Sequence, residues 1–391
     1  MPFRETNVMD ERIKFIAELR QGELSMSQLC RKYGISRDIG YKWKARYEAQ
    51  GPMGLVDRSR APLSHPNATS RMVEEAIVAL RRKHPTWGPK KLRPTLKKRA
   101  PQIEWPHEST MGVIIHRRGL AGRPRRRRHA PPQASPLTPC QEANDVWAID
   151  FKGWFRTSDG ERCDPLSMSD LATRYVLRLQ TVEHTDTDHV WSIIEAAFRE
   201  YGLPAVMRSD NGPPFASTGV GGLSQLSIRL IKAGVRPERI APGKPTQNGR
   251  HERLHRTLKQ ETADPPAPTL RLQQKRFSAF QKMFNEERPH EALGFVTPAS
   301  IYRSSRQSFS GRLRSPEYPA HHIVRRVRRN GDIRWNGGTL FLSTALIGEP
   351  VGIEETESGL MAVRYGPILL AHLDGTKLIR LKRGARPPLE I

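Results

Sequence analysis

Cysteine is scarce in this chain, with Cys30, Cys140 and Cys163 the only three in 391 residues. They stand too far apart for a local Cys-x-x-Cys metal site and are odd in number, which argues against a disulfide framework and for a reducing compartment. Long apolar runs are also missing. No stretch approaches the roughly 18 residues of a membrane span, and the start MPFRETNVMDERIKF lacks the apolar centre of a secretory signal. The expectation is a cytoplasmic protein, neither secreted nor membrane-bound. Acidic residues are outnumbered, 40 Asp and Glu against 65 Lys and Arg, for a formal net charge of +25. Hydrophobic residues make up 37%, modest for one large core, so several small domains are expected.

The distribution of charge says more than its total. Residues 1–130 hold 29 Lys and Arg against 12 Asp and Glu, residues 131–200 hold 6 against 12, and each of the last two segments, 201–300 and 301–391, holds 15 against 8. Basic flanks around an acidic middle suit a chain that grips a nucleic acid through its ends and holds cations in its centre.

Apolar positions Val8, Ile13, Ile16, Ala17 and Leu19 have helical spacing. The following segment, Ser27 to Trp43, resembles a helix-turn-helix: small Cys30 and Gly34 allow close approach, Ile35 plugs the junction, and Ser36 caps a recognition helix. Its outward residues include Arg37, Asp38, Lys42 and Arg46; Gly40 stands where a larger apolar residue would be expected to pack. Residues 1–60 are thus expected to form a first, helix-turn-helix DNA-binding domain. Residues 68–121 read as a second helix-turn-helix-like domain, with helices over 70–84, 88–99 and 108–118 and Gly119 as terminator. Residues 122–143 form a basic, proline-rich linker in which Arg123, Arg125, Arg126, Arg127 and Arg128 would track a phosphate backbone.

From Asn144 the pattern turns to strands around 146–154, 163–169 and 175–181, a helix over 188–200 and a short strand over 205–208. Further helices are expected at 222–233, around Glu252, and at 269–286. Three strands, a crossover helix and a further strand resemble the ribonuclease H-like fold, placed over 144–305. Three carboxylates stand out. Asp150 interrupts the apolar run Val146 to Phe151, where an ionised group is costly unless compensated. Asp210 follows a short strand at the turn dipeptide Asn211-Gly212, and Glu252 lies on a helix with a polar start.

Their contexts, WAIDFKG, RSDNGPPFAS and PGKPTQNGRHERLHRTLKQE, resemble the three signature blocks of the DDE transposase and retroviral-integrase superfamily. Over nearly its whole length, and in domain order, the chain is similar to bacterial insertion-sequence transposases. The resemblance implies that Asp150, Asp210 and Glu252 are catalytic and hold two magnesium or manganese ions, Asp150 bridging both. It implies hydrolysis at element ends to expose a 3′-OH, then attack of that hydroxyl on target DNA within a synaptic homo-oligomer. The retroviral relatives carry a His/Cys zinc domain, for which this chain lacks paired cysteines, so no structural zinc is expected. Two other functions fit the same blocks: a transposase-derived regulator with an inert core, and a structure-selective nuclease.

The stretch ASTGVGG lengthens the interval between Asp210 and Glu252 to 41 residues and reads as a loop at the mouth of the site, which leaves Glu261 as an alternative third ligand. On a helical wheel Asn248, Arg256 and Lys259 share the face of Glu252, opposite Leu254, Leu258 and Glu261. Asn211, Gln247, Asn248, Arg256 and Lys259 are therefore candidates for supporting the carboxylates or contacting DNA. Asp170 reads as a turn cap or a partner of Arg174, His251 and His255 as solvated neighbours of Glu252, and Trp147, Phe151 and Trp154 as core. Residues 318–391, alternating and glycine-punctuated, resemble the small β-barrel that ends retroviral integrases.

With so much of the charge in residues 1–130, binding to DNA is expected to weaken steeply with salt, with a slope of about −0.9 in log K against log salt per phosphate contacted. Affinity measured by anisotropy across salt concentrations checks this; a flat response would remove the electrostatic reading.

Overall fold

The computed structural model describes residues 7–60, 68–122, 137–217, 219–243 and 245–380. Arg123 and Arg125 to Arg128 lie outside them. The chain divides into two compact units, residues 1–68 and 69–391.

In the first unit, α1 (Val8–Gln21), α2 (Met26–Lys32) and α3 (Arg37–Gln50) begin at Asn7, Ser25 and Ser36, whose side chains each accept a hydrogen bond from a first-turn backbone N–H. Ser25 and Gln28 form a reciprocal capping box. Gly34, at φ 65°, makes the turn between α2 and α3, with Ile35 N–H donating to the Cys30 carbonyl at 3.0 Å. Phe15, Ile16, Leu29, Cys30 and Trp43 form the core. Gly40 belongs to the crossing of these helices: a Cβ there would lie 2.6 Å from Cys30 Sγ and 2.9 Å from Met26 Sδ. The larger residue expected at that position has no room.

The second unit opens with α4 (Arg71–Lys83), α5 (Pro89–Arg99) and α6 (Glu108–Arg117), packed around Ile77, Trp87, Leu92 and Met111. Gly119 (φ 69°) ends α6, as expected. A mixed sheet follows: β1 (Val146–Phe151), β2 (Phe155–Arg156), β3 (Arg162–Asp170), β4 (Val176–Val182), then across α7 (Thr187–Tyr201) to β5 (Val206–Ser209), and across α8 (Gln225–Lys232) to β6 (Arg236–Arg239). β3 pairs antiparallel with β1 and β4, and β1 continues into parallel β5 and β6. This is the strand order expected of a ribonuclease H-like core. Trp147, Ile149, Met168, Ile194 and Phe198 are buried between sheet and α7. On the other face, α9 (Gly249–Thr262) and α10 (Leu270–Lys282) bury Leu254, Leu258, Phe277 and Phe280 against β3 and β4.

The helical module is docked on that same face. Thr86 donates to Glu261 at 2.5 Å, and Glu261 also pairs with buried Arg288 at 2.9 Å; Lys83 reaches Glu287 and Lys90 reaches Glu291. After the short α11 (Pro298–Ile301) the chain enters β7 (Ile323–Arg326), β8 (Asp332–Trp335), β9 (Gly338–Phe341), β10 (Pro350–Glu355), β11 (Met361–Tyr365), β12 (Ile368–Asp374) and β13 (Lys377–Arg380). Five of these form an open antiparallel sheet, β13-β12-β11-β10-β7, and β8 and β9 form a separate hairpin. The expected barrel is thus not closed among the described residues: the hairpin lends Ile333 to the common core but shares no ladder with the five-stranded sheet.

The ASTGVGG stretch is likewise placed differently from its reading as a loop at the mouth of the site. Val220 and Leu223 are buried in the core of the C-terminal sheet, Gly221 at φ 67° lies so close to Leu370 that a Cβ would fall 2.8 Å from it, and Arg239 of β6 donates to the carbonyls of Gly221 and Gly222. Residues 219–223, the end of the stretch and the leucine after it, are a strap that ties the mixed sheet to the last one.

Gly40→Leu is expected to destabilise the first unit by about 1–3 kcal/mol through overpacking. Amide exchange across residues 26–50 of the full chain should then quicken roughly tenfold or more; unchanged exchange would mean that the helices part at no cost.

Candidate active site

The parallel register of β1 and β5 builds the first half of the site. Ala148 lies opposite Arg208, so continuing two residues sets Asp150, near the end of β1, beside Asp210, one residue past β5. Adjacent strands lie about 4.8 Å apart, which forces two like charges together. The turn after β5 fixes Asp210: its Oδ1 accepts from Gly212 N–H at 3.0 Å, while Asn211 Nδ2 donates to the Ile240 carbonyl at 2.7 Å. Glu252 comes from the first turn of α9. Asp150 is pushed up to about 7, by burial first, then by the charge of Asp210, with Glu252 adding to it. The three carboxylates that are separated in sequence therefore share one electrostatic neighbourhood.

Glu252, Arg256 and Lys259 are all exposed, on one face of α9. Glu261 faces away and is occupied by Arg288 and Thr86, which makes it a tie between domains. No ion pair of Glu252 is found among the described residues, so pairing with Arg256 does not account for it. Gln247 accepts from Ala241 N–H at 2.7 Å. Asn248 departs from the expectation of an exposed polar helix start: it is buried, and its Oδ1 has no partner.

The histidines also depart from expectation. His251 and His255, read as solvated, are buried against β3, because positions 251, 254, 255 and 258 make the inner stripe of α9. Ser167 Oγ lies 2.8 Å from His251 Nε2 and 2.6 Å from His255 Nε2, and Ser169 Oγ lies 2.9 Å from His251 Nδ1. His255 Nδ1 faces Asp150 Oδ2 at 3.9 Å. Burial pushes His251 down to about 4 and His255 to about 2, so both rings are neutral. The alternation of polar residues in β3, Ser167 and Ser169, opposite an i, i+4 histidine pair was the available signal for this contact. Asp170 caps a turn, as read, accepting from Thr173 N–H and Oγ1 and from Asn144 N–H. Trp147 and Phe151 join the core, but Trp154 is 56% exposed, with Arg156 and Arg162 over its ring. It lies beyond the end of β1, where no layer covers it.

Among the described residues, another cluster of potential ligands is His321, His322 and Glu354, where Arg364 already occupies one carboxylate oxygen of Glu354. In the first unit Arg37 and Lys42 are exposed, and Arg46 lies over the Trp43 ring at 5.1 Å. No helix among the described residues is long and apolar enough to cross a membrane.

Residues 141–245 and 233–298 match integrase core domain families, residues 11–62 a helix-turn-helix domain, and residues 39–115 a homeodomain-like domain. The chain is 24% identical over 282 residues to an uncharacterized 31.7 kDa protein of insertion element IS407 from Burkholderia multivorans, covering 71% of this chain and 90% of that protein. It is also 24% identical, over 285 residues, to an uncharacterized 39.2 kDa protein of insertion element IS476 from Xanthomonas euvesicatoria, covering 72% and 74%. Among solved structures, the BIV integrase catalytic core aligns over 41% of this chain and 93% of its own, at 20% identity and TM-score 0.32. The HTLV-2 integrase catalytic core in complex with magnesium aligns over 42% and 99%, at 16% identity and TM-score 0.33.

The raised Asp150 gives a sign. Its carboxyl keeps its proton in the folded state above the ordinary value of 3.8, so folding binds a proton between about pH 4 and 7 and stability falls as pH rises through that window. In chelator, thermal stability is expected to fall from about pH 4 to 7 relative to Asp150→Asn, and magnesium to oppose the loss near pH 7 and above. Parallel profiles for the two proteins would show that Asp150 does not carry the strain.

Proposed function

Because the chain belongs to the integrase superfamily as an insertion-sequence transposase, we propose that it cuts the ends of its own element and joins them to target DNA by phosphoryl transfer at Asp150, Asp210 and Glu252. The observation that carries this reading is the meeting of Asp150 and Asp210 at the ends of adjacent parallel strands, with Glu252 supplied by α9.

The donors are hard carboxylate oxygens, and their mutual repulsion makes the set a poor one to leave ionised without cations, which suits magnesium or manganese. Asp150, Asp210 and Glu252 would hold two such ions, which when bound would supply activation of the attacking oxygen and charge stabilisation at the leaving oxygen. The chain's own side chains do the remaining work. Arg256 and Lys259, exposed on the face of Glu252, hold the phosphate backbone; Asn211 and Gln247 brace the loops that present the carboxylates. Arg37, Lys42 and Arg46 read the element end from the recognition helix, the helical module of α4 to α6 extends the site, and Arg123 and Arg125 to Arg128 add phosphate contacts. Bringing two ends together calls for a homo-oligomer on double-stranded DNA.

Asp150→Asn, Asp210→Asn and Glu252→Gln should each lower strand transfer by at least about 100-fold with end binding retained, whereas Glu261→Gln should weaken the docking of the helical module and spare the chemistry. Nicking and joining of labelled ends with magnesium or manganese checks this. Transfer near the parent rate in any of the first three removes that residue from the set, and binding without nicking under both metals would favour the regulator.

A further inference from the structure

We infer that Ser169, His251, Ser167 and His255 form a directional hydrogen-bond relay that ends on Asp150 and positions its carboxylate for the cations. The inference rests on the proposed role of Asp150 and adds to it the polar side chains behind that carboxylate.

The order of donors follows from the cation-loaded state, in which Asp150 is ionised. An ionised Asp150 can only accept, so His255 Nδ1, which faces Oδ2 at 3.9 Å, must carry the ring's single N–H. His255 Nε2 is then a lone pair, and the 2.6 Å contact with Ser167 requires the serine hydroxyl to donate. With its only proton used, Ser167 accepts from His251 Nε2–H at 2.8 Å, which leaves His251 Nδ1 to accept from Ser169 Oγ–H at 2.9 Å. In this order Ser167 gives its proton to the 2.6 Å contact with His255 and forgoes the longer, 3.3 Å donation to the Asp150 carbonyl. Each ring nitrogen of His251 and His255 thus has a defined role. The reverse order would aim a lone pair at a carboxylate. All four groups are buried, so water does not compete for them. The last gap is too long for a hydrogen bond, but catalytic contacts of this kind shorten when a site is loaded. Since Ser167 is also the ladder partner of Asp150, one residue sets both the backbone and, through His255, the carboxylate.

The test is Mn2+ binding to the full chain, followed by electron paramagnetic resonance of the free ion, with thermal unfolding as a check on folding. Asp150→Asn calibrates the site and should lose binding. Ser167→Ala and His255→Ala should weaken Mn2+ about 10-fold or more, the usual cost of removing an outer partner of a ligand. His255→Asn can set an N–H where Nδ1–H stands and should stay within about threefold, whereas His255→Gln, which reaches Ser167 instead, should fall with the alanine variant. A purely structural role would make Asn and Gln alike. Parent affinity in Ser167→Ala and His255→Gln, with binding lost in Asp150→Asn, overturns the relay alone. Parent affinity in Asp150→Asn overturns the metal role of Asp150, and the relay with it.

Discussion

The fold places a carboxylate where both burial and neighbouring charge oppose it. Asp150 lies toward the end of a strand flanked by β3 and β5, and the register that gives the sheet its strength also sets Asp210 beside it. Moving either strand by one residue would relieve the repulsion but send the apolar residues of β1 to the wrong face. The sheet cannot have its core without its acidic corner. That coupling explains why Asp150 is raised toward 7 while the rest of β1 is ordinary packing, and why the corner is the place to look for chemistry.

α9 answers to three demands at once. Its outward face carries Glu252, Arg256 and Lys259; its inner stripe seats His251 and His255 on the serines of β3; its last turn offers Glu261 to Arg288 and Thr86. The contact to Thr86 belongs to the helical module that precedes the mixed sheet, so the helix bearing the third carboxylate is also the helix on which that module rests. Arg288 is buried, and leaving it without Glu261 would strand a charge, which makes the dock specific to this arrangement.

Much of this was legible in the sequence because the periodicities are strong. The helices of both N-terminal modules, β1, β3, β4 and α7 follow their apolar patterns, and the position of Asp210 followed from a turn signal. What could not be read depends on contacts between distant segments. β6, Arg236-Pro237-Glu238-Arg239, has no apolar alternation; it is an edge strand, where proline is tolerated, and it is held by the buried Arg208–Glu238 pair and by Thr138. The histidines of α9 look polar in sequence, yet the paired serines opposite make them suitable for burial. Gly40 stands where the pattern alone calls for a larger apolar residue, and only the Cys30 and Met26 side chains against it explain why none fits.

The strap at residues 219–223 shows the same limit from the other side. A Gly/Ser-rich run between two motifs suggests a loop, and its composition carries no hint of burial beyond Val220 and Leu223. In the structure those two residues are enclosed by the C-terminal sheet, while Arg239 holds the glycine carbonyls from behind. Since β6 supplies that arginine, and Asn211, next to Asp210, donates to the Ile240 carbonyl just beyond the same strand, the strand without an apolar signature connects the second carboxylate to the last domain. The lengthened interval between Asp210 and Glu252 is therefore spent on joining sheets rather than on opening the site, and the third carboxylate arrives on a helix whose own seat on β3 is independent of it.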